Sequence, residues 1–275
     1  MAIPLEDFFE DIISKAQRGL GIETSVLVER TGLDREVIQG LRRGEFEVDT
    51  ISKVAPVLGL DTQTLIASAE KSWFPIQPEV PGLHVFHSYY GDMIVNAYLI
   101  QLPGKSEAIV FDTGTDCTEI LNYLRGSNIG LAAICVTHSH TDHISDLDAL
   151  RTSMNNPPSY IHVKEPVHGA TLIEEGWSLE AAGLRLSIQK TSGHSVAGIT
   201  YLIEGMSSPI AVVGDAIFAG SMGGGMVSYA EALQNNREKI LTLPDNTVLC
   251  PGHGPLTTVG QEKEHNPFYP EFKNR

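Results

Sequence analysis

Apolar and polar positions along the chain follow two periods, and the change falls near residue 70. Up to there the segments "LEDFFEDIISKAQRGL", "TSVLVERTGL", "DREVIQGLRRG", "DTISKVAPVLGL" and "DTQTLIASAEK" place apolar residues three or four apart. Gly separates them and Thr or Asp opens them at cap positions, so they read as five short amphipathic helices. Next comes "EKSWFPIQPEVPG", where Pro75, Pro78 and Pro81 interrupt any regular element. Beyond it "LHVFHSYY", "MIVNAYLI", "EAIVFDTG", "LAAICVTHSH", "SYIHV", "LRLSIQKTSGHS", "GITYLIEG", "PIAVVGDAIF" and "TVLCPGHG" are strand-like runs rich in Val, Ile and aromatics. Helical stretches are expected between them at 116–125, 142–154 and 229–242. Many strands with a few helices imply sheet layers covered by helices, an α+β architecture, rather than an all-β sandwich. The expected organisation is a helical unit over 1–72, a linker over 73–82 and an α+β unit over 83–275.

Composition narrows the function classes. The 275 residues carry 19 Lys plus Arg against 34 Asp plus Glu, a net charge of −15, which disfavours attraction to nucleic-acid phosphates or anionic lipid. No apolar run approaches the roughly 18 residues of a membrane helix, and the N-terminus lacks a basic signal region, so a cytoplasmic protein is expected. Cys117, Cys135 and Cys250 are an odd number without CxxC spacing, which suggests buried thiols rather than a disulfide framework or a cysteine metal site.

The chemistry lies at the ends of the strand-like runs. "AICVTHSHTDH" ends in His138, His140, Asp142 and His143, "LSIQKTSGHS" contains His194, "IAVVGDAIF" contains Asp215, and "TVLCPGHG" contains His253. Imidazoles and carboxylates gathered where apolar strands end supply what a catalytic metal needs, namely fixed donors of intermediate softness with an open position. The HxHxDH string is the specific part of this signal. Single histidines such as His84, His87, His162, His168 and His265 read as surface or satisfied core residues. "GSMGGGM", Gly220 to Met226, lacks both the Lys-Ser/Thr ending and the GxGxxG order of a phosphate cradle.

The order HxHxDH, GH, GD, PGHGP, together with "VFDTGT", resembles the metallo-β-lactamase superfamily across residues 83 to 275. The tail "REKILTLPDNTVLCPGHGPLTTVGQEKEHNPF" resembles its glyoxalase II (hydroxyacylglutathione hydrolase-like) branch. That resemblance implies an αββα sandwich with two divalent metal ions, zinc, iron or manganese. It implies His138, His140 and His194 on one ion and Asp142, His143 and His253 on the other. Asp215 would bridge them, Asp112 would hold the ligand loop, and Asp142 and Asp215 would serve catalysis. The implied reaction is attack of hydroxide generated at the metals on a small thioester or related ester. The chain departs from the branch in having Ile144-Ser145-Asp146 after the motif, and glycines and methionines in "AGSMGGGMVSY" where a Gly-Arg-Ser/Thr-Asp stretch is usual. Tyr90, Asn96, Met222 and Tyr229 are expected pocket residues, chosen with Tyr89, Met93 and Phe218 for proximity to these motifs.

Two other readings share these residues. A mononuclear iron enzyme resembling the persulfide dioxygenases would use His138, His194 and Asp215 and consume oxygen. Hydrolysis of a lactone or β-lactam would use the same metals. Separately, residues 22–66 resemble the Cro and lambda-repressor-like helix-turn-helix family, with Gly32 at the turn, which would make the protein a metabolite-sensing DNA-binding regulator. Residues 1–70 carry 7 Lys plus Arg and 13 Asp plus Glu, a net of −6, which is poor chemistry for phosphate contact. A bundle used for packing or homo-oligomer formation is the favoured expectation.

Overall fold

The computed structural model describes residues 3–273. The five N-terminal helices are α1 (Phe9–Gly19), α2 (Thr24–Thr31), α3 (Arg35–Leu41), α4 (Val48–Val57) and α5 (Thr62–Ala69). Gly32 ends α2 in the left-handed conformation at φ +67°, which costs a glycine nothing sterically. The Asp61 carboxylate caps α5 by accepting from Thr64 N at 2.9 Å.

Two six-stranded sheets follow. The first has the spatial order β1 (Leu83–Tyr90), β2 (Met93–Ile100), β3 (Glu107–Phe111), β4 (Gly130–Cys135), β5 (Ser159–His162), β6 (Thr171–Ile173). The second runs in reverse, β12 (Thr257–Thr258), β11 (Val248–Pro251), β10 (Ile210–Gly214), β9 (Ile199–Glu204), β8 (Leu184–Lys190), β7 (Ser178–Ala181). Between the sheets lies an apolar layer with Tyr98, Ile109, Phe111 and Cys135 from one and Leu186, Ile199, Tyr201 and Val212 from the other. Helices α6 (Thr118–Gly126) and α8 (Leu147–Ser153) cover the outer face of the first sheet through Ile120, Leu124, Leu147 and Leu150. The chain is therefore the layered α+β fold expected, helix on sheet on sheet on helix. The single helix anticipated over 142–154 is broken into α7 (Thr141–Ile144) and α8, because the metal-loop residues occupy its first turn.

The outer face of the second sheet is covered by α9 (Tyr229–Asn235), which continues as a π-helical turn to Ile240, by α10 (Val259–His265), and by the N-terminal helices. One hydrophobic cluster contains Ile13, Leu41, Ile51, Val54 and Leu65 together with Val213, Leu249, Val259 and Phe268. The proline-rich stretch over 73–82 is fastened along this face: Trp73 stacks on His265 at 4.9 Å, and Ile76 exchanges two hydrogen bonds with the Gln261 side chain. All three cysteines are buried thiols. No helix among the described residues is long and apolar enough to cross a membrane.

Candidate metal centre

Strand direction puts the donors in one place. β3 and β4 run parallel, as do β10 and β11, and β8 reaches β10 through two antiparallel steps. The C-terminal ends of β3, β4, β8, β10 and β11 carry Asp112, the His138–His143 loop, His194, Asp215 and His253 in turn. The sheets close on one another there: Ile199 N donates to Thr137 O at 3.0 Å and Asn96 N donates to Gly252 O at 2.8 Å.

Donor atoms of His138, His140, His194 and Asp215 lie within 4.8 Å of one another, and so do those of Asp142, His143 and His253. Asp215 joins the groups. Its Oδ2 is 3.3 Å from His194 Nε2 and 3.5 Å from His253 Nε2, and its Oδ1 is 3.4 Å from His143 Nε2. Asp142 Oδ2 lies 3.3 Å from His253 Nε2.

Four of the five imidazoles are oriented from behind. Nδ1 of His194 faces Gly224 O at 2.9 Å, Nδ1 of His253 faces Ile94 O at 2.8 Å, Nδ1 of His143 faces Asp112 Oδ2 at 2.9 Å, and Nδ1 of His138 faces Thr137 Oγ1 at 3.0 Å. These contacts turn four Nε2 atoms inward, whereas His140 presents Nδ1, at 3.1 Å from His138 Nε2 and 3.0 Å from His194 Nε2. A partner for the outer nitrogen fixes ring direction and tautomer, as metal-ligating histidines require.

Close approach also needs glycine. A Cβ on Gly252 would lie 2.1 Å from Asp215 Oδ1, and one on Gly223 would lie 1.8 Å from Asp215 O.

The electrostatics suit a cation. Burial opposes ionisation of Asp215, but His253 and His143 beside it hold its carboxyl well below the usual range. Burial likewise opposes charge on His143 and His253, yet Asp215 in both cases, with Asp112 for the first and Asp142 for the second, pushes them up to about 10 and about 11. His138, by contrast, is driven well below 6.5 by burial and by neighbouring His143. The buried His143 Nε2 and Asp215 Oδ1 have no hydrogen-bond partner. Orphaned donor atoms of this kind facing one another are costly unless an ion satisfies them, so the residues fit divalent metal.

The expected pocket residues fare differently. Asn96 is buried and its amide donates to Pro251 O and Gly254 O, holding the His253 loop. Met222 and Tyr229 are buried in the apolar cluster under the second sheet. These three are enclosed by packing, whereas Tyr90 is open at 47% exposure. Sequence reasoning missed Glu165, whose two carboxylate oxygens accept from Ser139 N at 2.7 Å and Ala197 N at 2.6 Å. It ties the His138–His143 loop to the His194 loop. Burial works against its charge, but the hydrogen bonds from the Ser139 and Ala197 backbone hold its pKa below the ordinary value.

A two-sheet layered chain with a His/Asp cluster where its strands end defines a class of metal-dependent enzymes. Residues 90–253 match the metallo-beta-lactamase superfamily, and the chain belongs to it. The probable metallo-hydrolase YqgX of Bacillus subtilis is 30% identical over 208 residues, 66% of this chain and 95% of that protein. A hydroxyacylglutathione hydrolase of Edwardsiella ictaluri is 26% identical over 150 residues, 54% of this chain and 58% of that protein. Among solved structures, BLEG-1 B3 metallo-beta-lactamase superposes with a TM-score of 0.60 at 30% identity, covering 68% of this chain and 99% of that one.

Proposed function

We propose that the chain is a binuclear metallohydrolase acting on a small thioester or related ester. The observation that carries this reading is the pair of donor clusters meeting at Asp215, with His143 Nε2 and Asp215 Oδ1 buried and unpartnered. In it His138, His140 and His194 hold one ion, Asp142, His143 and His253 hold the other, and Asp215 lies between. Ions bound there would supply an activated water and polarise a carbonyl.

The protein side of the chemistry is orientation and proton handling. Asp142 and Asp215, as ligands flanking the ions, would orient the attacking water. A thiolate with a pKa near 8.5 leaves without a strong general acid. Cys135 is no competing nucleophile, since burial and then Asp112 push its thiol well above the ordinary value. The names of YqgX and of the Edwardsiella enzyme support hydrolysis and a thioester respectively.

Elemental analysis of protein purified without oxygen or chelators tests this. About two metals per chain are expected, with about one retained in His253→Ala, and thiol release from a thioester panel without oxygen uptake. A single iron that persists in His253→Ala, with oxygen consumption, would overturn the binuclear reading in favour of oxygen-dependent sulfur chemistry.

A further inference from the structure

The loop behind His194 has little stiffness of its own. It runs Gly220-Ser221-Met222-Gly223-Gly224-Gly225-Met226, and its Gly224 O is the group that faces His194 Nδ1 at 2.9 Å. Side chains are excluded there: a Cβ on Gly223 would lie 3.0 Å from His194 Nδ1, and one on Gly225 would lie 2.4 Å from Tyr229 Cα. Consecutive glycines have the widest backbone freedom of any residues, so their position has to be set by what holds the segments on either side. After them, Val227 N and Ser228 N donate to Gly193 O at 3.0 Å each. Before them, Gly220 N donates to Glu262 and Asn266 Nδ2 donates to Ser221 O at 2.7 Å. The last carbonyl ahead of the glycines, Met222 O, is held from the N-terminal helices: Lys15 Nζ of α1 donates to it at 2.8 Å.

Lys15 is itself clamped. Its ammonium pairs with Asp7 at 2.5 Å and lies 5.1 Å from the centre of the Phe218 ring, so an anion, a carbonyl and a ring face surround it. Asp7 also accepts from Ser221 Oγ at 2.5 Å. The pair thus grips two successive loop residues, Ser221 by its side chain and Met222 by its backbone. The arm that carries Asp7 is packed against the His253 turn, where a Cβ on Gly254 would lie 3.2 Å from Glu6 N. The Lys15 and Asp7 side chains are only 15% and 8% exposed. An ion pair withdrawn from water adds little net stability by itself, whereas its fixed geometry sets the loop in one place.

We propose that Lys15, held by Asp7, is a positioning residue of the metal centre: by fixing Met222 O it keeps Gly224 O behind His194, so that His194 Nε2 faces the ion site. The proposal rests on the metallohydrolase reading. It gives the N-terminal helices a part in building the site, although Lys15 lies outside residues 90–253, which match the superfamily.

Hydrogen exchange at the imidazole nitrogens, followed by NMR on the full chain without metal, reads the effect, with the His194 signal assigned from a His194→Gln variant. In wild type the His194 Nδ1 proton, shared with Gly224 O, should exchange slowly with water. Two variants are compared: Lys15→Met, and Asp7→Asn/Lys15→Met, which leaves no buried charge unpaired. In both, that proton should exchange about tenfold faster or more, while the His253 Nδ1 proton, which faces Ile94 O on β2, keeps its wild-type rate. Competition with a chromophoric chelator should show one ion bound about tenfold more weakly, or more so, at unchanged far-UV circular dichroism.

A wild-type exchange rate at His194 in the folded double variant, equal acceleration at His194 and His253, or wild-type metal affinity would overturn the role of Lys15 and reduce the pair to a staple between helices and sheet. Wild type that binds no metal would instead refute the metallohydrolase reading, and the exchange rates would still decide on Lys15.

Discussion

Asp112 adopts a left-handed backbone conformation, φ +55°, which costs a non-glycine residue about 1–2 kcal/mol. The conformation turns its carboxylate back from the end of β3, so that one oxygen accepts from Thr137 N at 2.7 Å and the other from Thr137 Oγ1 at 2.8 Å while facing His143 Nδ1. Three contacts on one buried side chain fix two imidazoles, His143 directly and His138 through Thr137. Asp112→Ala is expected to lower metal affinity about tenfold to a hundredfold, measured by competition with a chromophoric chelator, with the far-UV circular dichroism kept. Wild-type affinity in that variant would show that the ligand loop needs no such support. The motif residues were legible because their types and spacing state their chemistry. Glu165 was not: it stands 26 residues from Ser139 and 32 from Ala197, and nothing local distinguishes it from any surface glutamate.

Element-scale organisation turns on α10. Its Glu262 is fully buried and accepts from Gly220 N, Thr257 Oγ1 and Asn266 Nδ2, and burial, outweighing those hydrogen bonds, pushes it up from 4.5 to about 7. A carboxyl with a raised folded-state pKa favours folding below its unfolded value and loses that contribution as pH rises through the folded value. Between pH 4.5 and about 7 this group should therefore cost on the order of 3 kcal/mol of stability. Urea midpoints for Glu262→Gln should lack that component, and parallel pH profiles for the two proteins would refute it.

The helix pair α2 and α3 gives the second prediction at this scale. Arg43 pairs with Glu36 and Glu45, and Arg42 donates to Gln17 and Thr24, so both arginines at the end of α3 are occupied within the bundle. Fluorescence anisotropy with duplex DNA should show no binding that falls steeply between 50 and 200 mM salt; a steep salt slope would restore the regulator reading.

For the whole molecule, the apolar cluster that joins α1, α3, α4 and α5 to Val213, Leu249 and Phe268 couples the N-terminal helices to the sheet that bears Asp215 and His253. Thermal unfolding followed by far-UV and near-UV circular dichroism should give coincident single transitions. An early separate transition of the helices would show that they stand on their own. The helices, most strands, the α+β class and the seven His and Asp residues of the metal motifs could be read from the sequence, because periodicity, caps and ligand chemistry are local properties. Only the tertiary structure decided which side each imidazole presents, that Asn96, Met222 and Tyr229 are buried, and that Glu6 packs against Gly254. Those outcomes depend on contacts between segments up to some 250 residues apart, such as Glu6 with Gly254, and no local pattern encodes a neighbour that only folding brings near.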